Sequence, residues 1–129
     1  MSGKLLLDTN IVIALFAQDA SVLQQLETAD EIFIPAVVLG ELYFGANKSK
    51  RAANNLTRLD EFTLSNIILG CDVETAKIYG SIKNKLRETG HPIPENDIWI
   101  AATAIQHQLT LVTRDSHFDF VENLNKVRW

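Results

Sequence analysis

The chain is predicted to be an α/β protein, a three-layer α/β/α arrangement around a mainly parallel sheet of about five strands. Three observations predict this. Short apolar runs of strand length recur between longer segments of helical periodicity. Strands that alternate with helices are joined by crossovers, which favour parallel neighbours. The three prolines fall at element boundaries, and no repeat, low-complexity tract or linker breaks the order, so residues 1–129 are expected to form one domain.

Each element follows from its local pattern. Lys4-Leu5-Leu6-Leu7 reads as the first strand, followed by a helix over 10–18 and a second short helix over 21–29. A strand over 31–34 leads into Pro35, whose missing N–H suits the first turn of a helix over 36–47. That helix is apolar nearly all round and is expected to be buried on several sides. A polar-faced helix over 50–64 precedes the third strand, Ile67-Ile68-Leu69. Ala76, Tyr79, Gly80, Ile82 and Leu86 lie near helical spacing over 74–89, and Gly90 stops that helix. After His91-Pro92-Ile93-Pro94 come a helix over 96–107, a strand over 110–113, a turn or short helix over 118–123 and an edge strand over 126–129. Tyr43, Phe44 and Trp99 are expected in the core, with a partner surface as the alternative.

Composition narrows the class. With 47% hydrophobic residues in 129, the chain can bury a core. Its longest apolar run, residues 11–17, is far short of the roughly 20 residues that span a bilayer, so a soluble, cytoplasmic protein without leader or anchor is expected. The single Cys71 has no disulfide partner and is expected to be a buried structural thiol in a reducing compartment. A net charge of -4 argues against nucleic-acid binding by bulk attraction, but not against an enzyme acting on nucleic acid. Two basic groups, Lys48, Lys50, Arg51 and Arg58, and Lys77, Lys83, Lys85 and Arg87, suit a phosphate backbone or simply solvated helix faces.

Four isolated acids carry the functional signal. Asp8 ends the first strand, Asp115 lies just beyond the strand over 110–113, Glu41 is the only charge in residues 32–47, and Asp97 opens an apolar helix. Each has a bland alternative: Asp8, Asp97 and Asp115 can cap helices, and Glu41 can form a structural salt bridge. Convergence is the stronger reading, because open parallel sheets gather ligand-binding groups beyond their carboxyl edge. Two carboxylates about 5 Å apart repel by roughly 3 kcal/mol at an effective dielectric near 20, so a four-acid pocket must protonate, find basic partners or hold a cation. All-oxygen ligands favour Mg²⁺, with Mn²⁺ as the alternative, over zinc. Asn10, Thr113 and Asp119 are candidates for supporting roles. His91, His107 and His117 lack a metal-ligand spacing and are expected to be packing or surface residues. Such a site implies phosphodiester hydrolysis. No Gly-rich phosphate loop or Ser/Cys/His nucleophile arrangement supports nucleotide-driven or acyl-transfer chemistry.

At this point the chain resembles the PIN-domain family, most closely its VapC type of bacterial toxin. The matching pieces are Leu5-Leu6-Leu7-Asp8-Thr9-Asn10, Pro35-Ala36-Val37-Val38-Leu39-Gly40-Glu41-Leu42, Asn96-Asp97-Ile98-Trp99-Ile100-Ala101-Ala102 and Leu111-Val112-Thr113-Arg114-Asp115, and they span almost the whole chain. The resemblance implies a magnesium-dependent endoribonuclease, with Asp8, Glu41, Asp97 and Asp115 as metal-binding catalytic acids. It further implies a homodimer and a small cognate antitoxin that covers or enters the acidic groove.

Other readings fit less well. A catalytically silent PIN adaptor that binds RNA or protein keeps the fold without turnover. A receiver-like signalling module wants a phospho-acceptor after the third strand and a late-strand lysine, but the third strand offers only Asp72 and no lysine lies near Thr113. An aspartyl-nucleophile phosphatase needs an acid two residues after its nucleophile, where Asn10 stands.

Overall fold

The computed structural model describes residues 3–129; the first two positions of the expected domain lie outside the described residues. Five strands form one sheet: β1 (Lys4–Leu7), β2 (Glu31–Pro35), β3 (Ile67–Leu69), β4 (Thr110–Val112) and β5 (Lys126–Val127). Their order is β3-β2-β1-β4-β5, and every neighbouring pair is parallel. The helices are α1 (Thr9–Phe16), α2 (Ala20–Leu26), α3 (Ala36–Asn47), α4 (Ala52–Leu64), α5 (Val73–Thr89) and α6 (Glu95–Gln106), with a 3₁₀ helix at Ser116–Phe120. The expected elements are all present, with ends shifted by up to three residues, as at α2, which ends at Leu26, and the 3₁₀ helix, which ends at Phe120.

This strand order fixes where a site can form. The chain leaves β1 toward β2 and β3, then returns to the other side of β1 to add β4 and β5. The crevice beyond the carboxyl ends of β1 and β4 is therefore the point where the winding reverses, the usual ligand position in such sheets. The register Leu7 with Val112 brings the two strand ends level, and the Asp8 N–H donates to the Val112 carbonyl at 3.0 Å. Asp8 and Thr113 are thus adjacent although distant in sequence.

Central strands buried on both faces require near-continuous apolar sequence. Leu6, Ile34, Leu111 and Val112 are fully buried, packed with Val38 of α3 and Ile100, Ala101, Ala102 and Ala104 of α6. The alanines let α6 approach closely, and α3 packs against α6. Asp72 and Thr75 exchange backbone and side-chain bonds in a capping box at the start of α5. Gly90 ends that helix at φ +73°, a left-handed conformation that glycine adopts without steric cost.

Several expectations need correction. Helix α3 is not buried on several sides: Ala36, Gly40, Phe44 and Asn47 form an exposed strip, and Phe44 is 65% exposed with the Lys48 ammonium 4.8 Å from its ring centroid. Tyr43 and Trp99 are only partly buried; Tyr43 donates to Asp60, and Trp99 stacks on Tyr79 with centroids 4.0 Å apart. Cys71 is exposed, not core, although partial desolvation of its sulfur raises the thiol pKa above its ordinary range. Pro35 is the N-cap residue of α3 rather than part of its first turn, whereas Pro94 precedes α6 as expected, and neither helix has a side-chain cap. Among the described residues no helix is long and apolar enough to cross a membrane.

Phe118 anchors the 3₁₀ helix behind Asp115 and has no exposed surface. Phe118→Ala is predicted to lower stability by about 3–5 kcal/mol in urea unfolding, the range for a buried aromatic truncated to alanine. Leu64→Ala, at an 88% exposed position, should change it by less than about 0.5 kcal/mol. A loss below about 1 kcal/mol at Phe118 would contradict its place in the core.

Candidate active site

Asp8 occupies the N-cap of α1 at the end of the central strand, in extended conformation, and is only 4% exposed. Three neutral groups donate to its carboxylate: the Thr9 N–H at 2.8 Å to Oδ1, the Asn10 amide at 3.1 Å to Oδ2, and the Thr113 hydroxyl at 2.7 Å to Oδ2. Burial nevertheless pushes its pKa up, and Asp115 adds to the rise, against the lowering by these hydrogen bonds. The helix-capping alternative is therefore true of Asp8 but incomplete: Thr9 N–H satisfies Oδ1, while Oδ2 is drawn across to β4.

Thr113 and Asn10 link this acid to the next loop. The Thr113 hydroxyl, while donating to Asp8, accepts the Asp115 N–H at 3.0 Å. Asn10 donates to Asp8 and accepts the Arg114 N–H at 3.2 Å. The Arg114 side chain then donates to the Trp129 carbonyl at 2.7 Å and to Asp19 at 3.1 Å, tying the end of β4 to the α1–α2 junction and to the last residue. Asp115 caps the 3₁₀ helix by accepting the His117 N–H at 2.9 Å.

Asp97 lies in the first turn of α6, not at its cap, with a side chain 13% exposed. Burial, then the charges of Asp8 and Asp115, raise its pKa to about 6, despite the opposing effect of His117. The His117 Nδ1 is 3.3 Å from Asp97 Oδ2 and 3.1 Å from Asp115 Oδ1. His117 is exposed, as expected of a surface histidine, but it also stands between two acids of the cluster. Its one sequence signal is the place two residues beyond Asp115 in the capping turn, and nothing in the chain connects it to Asp97. His91, by contrast, stacks on Phe120 at 4.2 Å, and His107 merely ends α6.

Glu41 is partly exposed, so the expectation of a charge buried among apolar residues is too strong. It lines a cavity of about 300 Å³ with Thr9, Ile13, Phe16, Asn55 and Arg58. Partial burial raises its pKa, the Thr9 hydroxyl opposes this, and the Asp8 charge adds to it. The Arg58 guanidinium donates to the Phe16 carbonyl at 2.7 Å and sits 4.3 Å from the Phe16 ring centroid. Among the described residues, Thr9 Oγ1 is the buried side-chain polar atom without a hydrogen bond of good geometry.

The other nominated positions divide. Asn10 and Thr113 join the acid network, but Asp119 is exposed and pairs with Lys126 at 3.3 Å, outside the bonds that link Asp8 to Asp115. Much of the second basic group is committed to its own surface: Lys77 pairs with Glu74 at 3.3 Å and Lys83 with Glu95 at 2.5 Å. Glu95 also accepts from the Tyr79 hydroxyl.

Four carboxylates coupled through Asp8 and Asp115 have no Lys or Arg ion-pair partner among the described residues. Donor atoms of Asp97, Asp115 and His117 lie within 4.8 Å of one another. This acidic, mostly oxygen donor set suits a divalent cation, which would relieve the mutual repulsion that raises Asp97.

The PIN domain family matches residues 5–124. The chain is 33% identical to Ribonuclease VapC2 of Haemophilus influenzae and 32% identical to the tRNA(fMet)-specific endonuclease VapC of Shigella flexneri, covering 98% of itself and 98% of each relative. It is similar to a chain in the crystal structure of VapBC2 from Rickettsia felis bound to a promoter DNA fragment, with a TM-score of 0.89 and 32% identity over 97% of this chain and 98% of that one. The strand order, the acids at its reversal point and these matches agree: the chain belongs to the PIN-domain family, among relatives of the VapC type.

Proposed function

We propose that the chain is an endoribonuclease, the toxin of a VapBC-type toxin–antitoxin pair, that hydrolyses RNA phosphodiester bonds with Mg²⁺ and accepts Mn²⁺. The observation that carries this reading is the meeting of Asp8 and Asp115 with Asp97, in reach of Glu41's charge, in a chain whose relatives are VapC ribonucleases. Residues 1–129 act as one PIN unit, in the cytoplasm, as a homodimer. A cognate antitoxin covers the acidic groove, in keeping with the toxin–antitoxin assemblies among its structural relatives.

Asp8, Asp97 and Asp115 would hold the cation, with Glu41 completing the negative wall. When bound, a divalent cation supplies Lewis acidity that stabilises charge on a phosphoryl oxygen and lowers the pKa of water. The chain's own contribution is preorganisation. Thr113 bonds Asp8 and the Asp115 backbone at once, so the two strand ends hold a fixed spacing. Asn10 does the same between Asp8 and Arg114. Neutral donors keep Asp8 oriented without neutralising it, which leaves its charge available to a cation. Arg58, beside Glu41 in the adjoining cavity, is placed to meet a phosphate of the bound strand.

Purified wild type should make discrete cuts in total cellular RNA with Mg²⁺ or Mn²⁺, and chelator should abolish them. Asp8→Asn should reduce cleavage by at least about 100-fold while the protein remains folded by circular dichroism. A folded, antitoxin-free wild type that binds RNA without cutting it would overturn the enzymatic reading in favour of an RNA-binding adaptor.

The acids also predict a pH dependence for the metal-free protein. Asp97 has an ordinary pKa of 3.8 unfolded and about 6 folded, so the folded state binds the extra proton. Its stabilising contribution is complete below about pH 4 and is lost as pH rises through about 6. Asp8 and Glu41, also raised, act in the same direction, whereas the lowered Asp19, Asp72 and Glu95 affect stability only at more acid pH. After discounting for solvent screening, Asp97→Asn should stabilise the chelated protein at pH 7 by about 1–2 kcal/mol, or roughly 3–8 °C in Tm. Equal melting temperatures for the two proteins at pH 7 would refute the repulsion assigned to this carboxyl.

A further inference from the structure

His117 stands where sequence spacing gives it no role, between two acids of the cluster. Its Nδ1 lies 3.1 Å from Asp115 Oδ1 and 3.3 Å from Asp97 Oδ2. One Nδ1–H cannot point squarely at both oxygens, so a single hydrogen bond leaves one contact poorly satisfied. These separations have another meaning. Donors held about 2.1–2.2 Å from one octahedral ion stand roughly 3.0 Å apart when adjacent and 4.3 Å apart when opposite. Both nitrogen–oxygen separations are close to the adjacent value, and all three donors lie within 4.8 Å, so bringing them onto one ion requires closure of about half an ångström.

The backbone supports this placement. Asp115 is held by Thr113 through its N–H and itself accepts the His117 N–H, so Asp115 and His117 belong to one rigid turn. Phe118, fully buried, pins the next residue of that turn. The imidazole is 48% exposed, so it can turn toward a cation without unpacking the core.

We propose that His117 is a nitrogen ligand of the divalent site, alongside Asp97 and Asp115, and that it biases the site toward Mn²⁺ and Co²⁺ relative to Mg²⁺. The inference rests on the reading of the cluster as a cation site and goes beyond the four-acid set. Carboxylates bind hard ions such as Mg²⁺ well, whereas imidazole adds affinity chiefly for later first-row metals. A single imidazole among carboxylates therefore shifts preference without excluding Mg²⁺.

The test titrates the full-length, metal-free protein with Mg²⁺, Mn²⁺ and Co²⁺ by calorimetry and measures pulsed EPR of the Mn²⁺ form. Wild type should show nitrogen coupling to bound Mn²⁺. His117→Ala should abolish the coupling and weaken Mn²⁺ and Co²⁺ by about tenfold or more, while Mg²⁺ changes by less than about threefold. His117→Asn, which retains a polar side chain, should behave like alanine for nitrogen coupling; circular dichroism verifies the fold of both variants. Tight Mn²⁺ binding without nitrogen coupling, or equal weakening of all three ions in His117→Ala, would overturn the ligand role while leaving the cation site intact. Absence of saturable binding by any ion to wild type would overturn both this inference and the metal-dependent reading.

Discussion

The structure turns on one buried carboxylate at the carboxyl end of the central strand. Asp8 is nearly inaccessible, yet the groups that bond it are all neutral. Such a charge is expensive to bury, and the fold bears the cost with three hydrogen bonds from three residues. Those same bonds assemble the neighbourhood. Thr9 N–H starts α1, Asn10 reaches the Arg114 backbone, and Thr113 carries the connection to Asp115. Removing the acid would release the groups that hold the ends of β1 and β4 in relation to each other.

The sheet makes that convergence possible. Parallel strands all end at the same edge, and an order of β3-β2-β1-β4-β5 opens a crevice between β1 and β4 because the connections from that point diverge. Helix α6 enters β4 with Asp97 in its first turn, and α3 follows β2 with Glu41 one helical turn further in. Contact between α3 and α6 brings these two helices onto the acids at the strand ends. Like charges thus gather in a place where packing, not charge pairing, determines position. The resulting repulsion appears as raised pKa values at Asp8, Glu41 and Asp97. Stability is sacrificed locally, as is common at sites built to bind a charged ligand.

Around this centre the surface is uneven in a useful way. Phe44 and Ile13 are exposed apolar side chains, and Ile13 borders the same cavity as Glu41 and Arg58. The acidic crevice therefore adjoins apolar surface and a cation, a combination suited to either a nucleic-acid strand or a protein segment with mixed character. On the other side, Arg114 commits its guanidinium to Trp129 and Asp19, so it serves the integrity of the loop rather than solvent.

Local patterns determined much of this protein. Apolar runs in β1, β2, β3 and β4 and the turn residues between them defined the strands and helices, because burial and backbone capping act over a few residues. Isolated charges in apolar surroundings singled out Asp8, Glu41, Asp97 and Asp115, because a lone charge there is costly wherever the chain goes. Tertiary structure decided what those signals do not encode. It placed His117 between Asp97 and Asp115, turned Asp119 toward Lys126, left Phe44 and Cys71 exposed, and opened Glu41 to a cavity. These outcomes depend on which side of an element meets another element, a relation set by strand order and helix packing across the whole chain. Hydrophobic spacing within one segment carries no record of it.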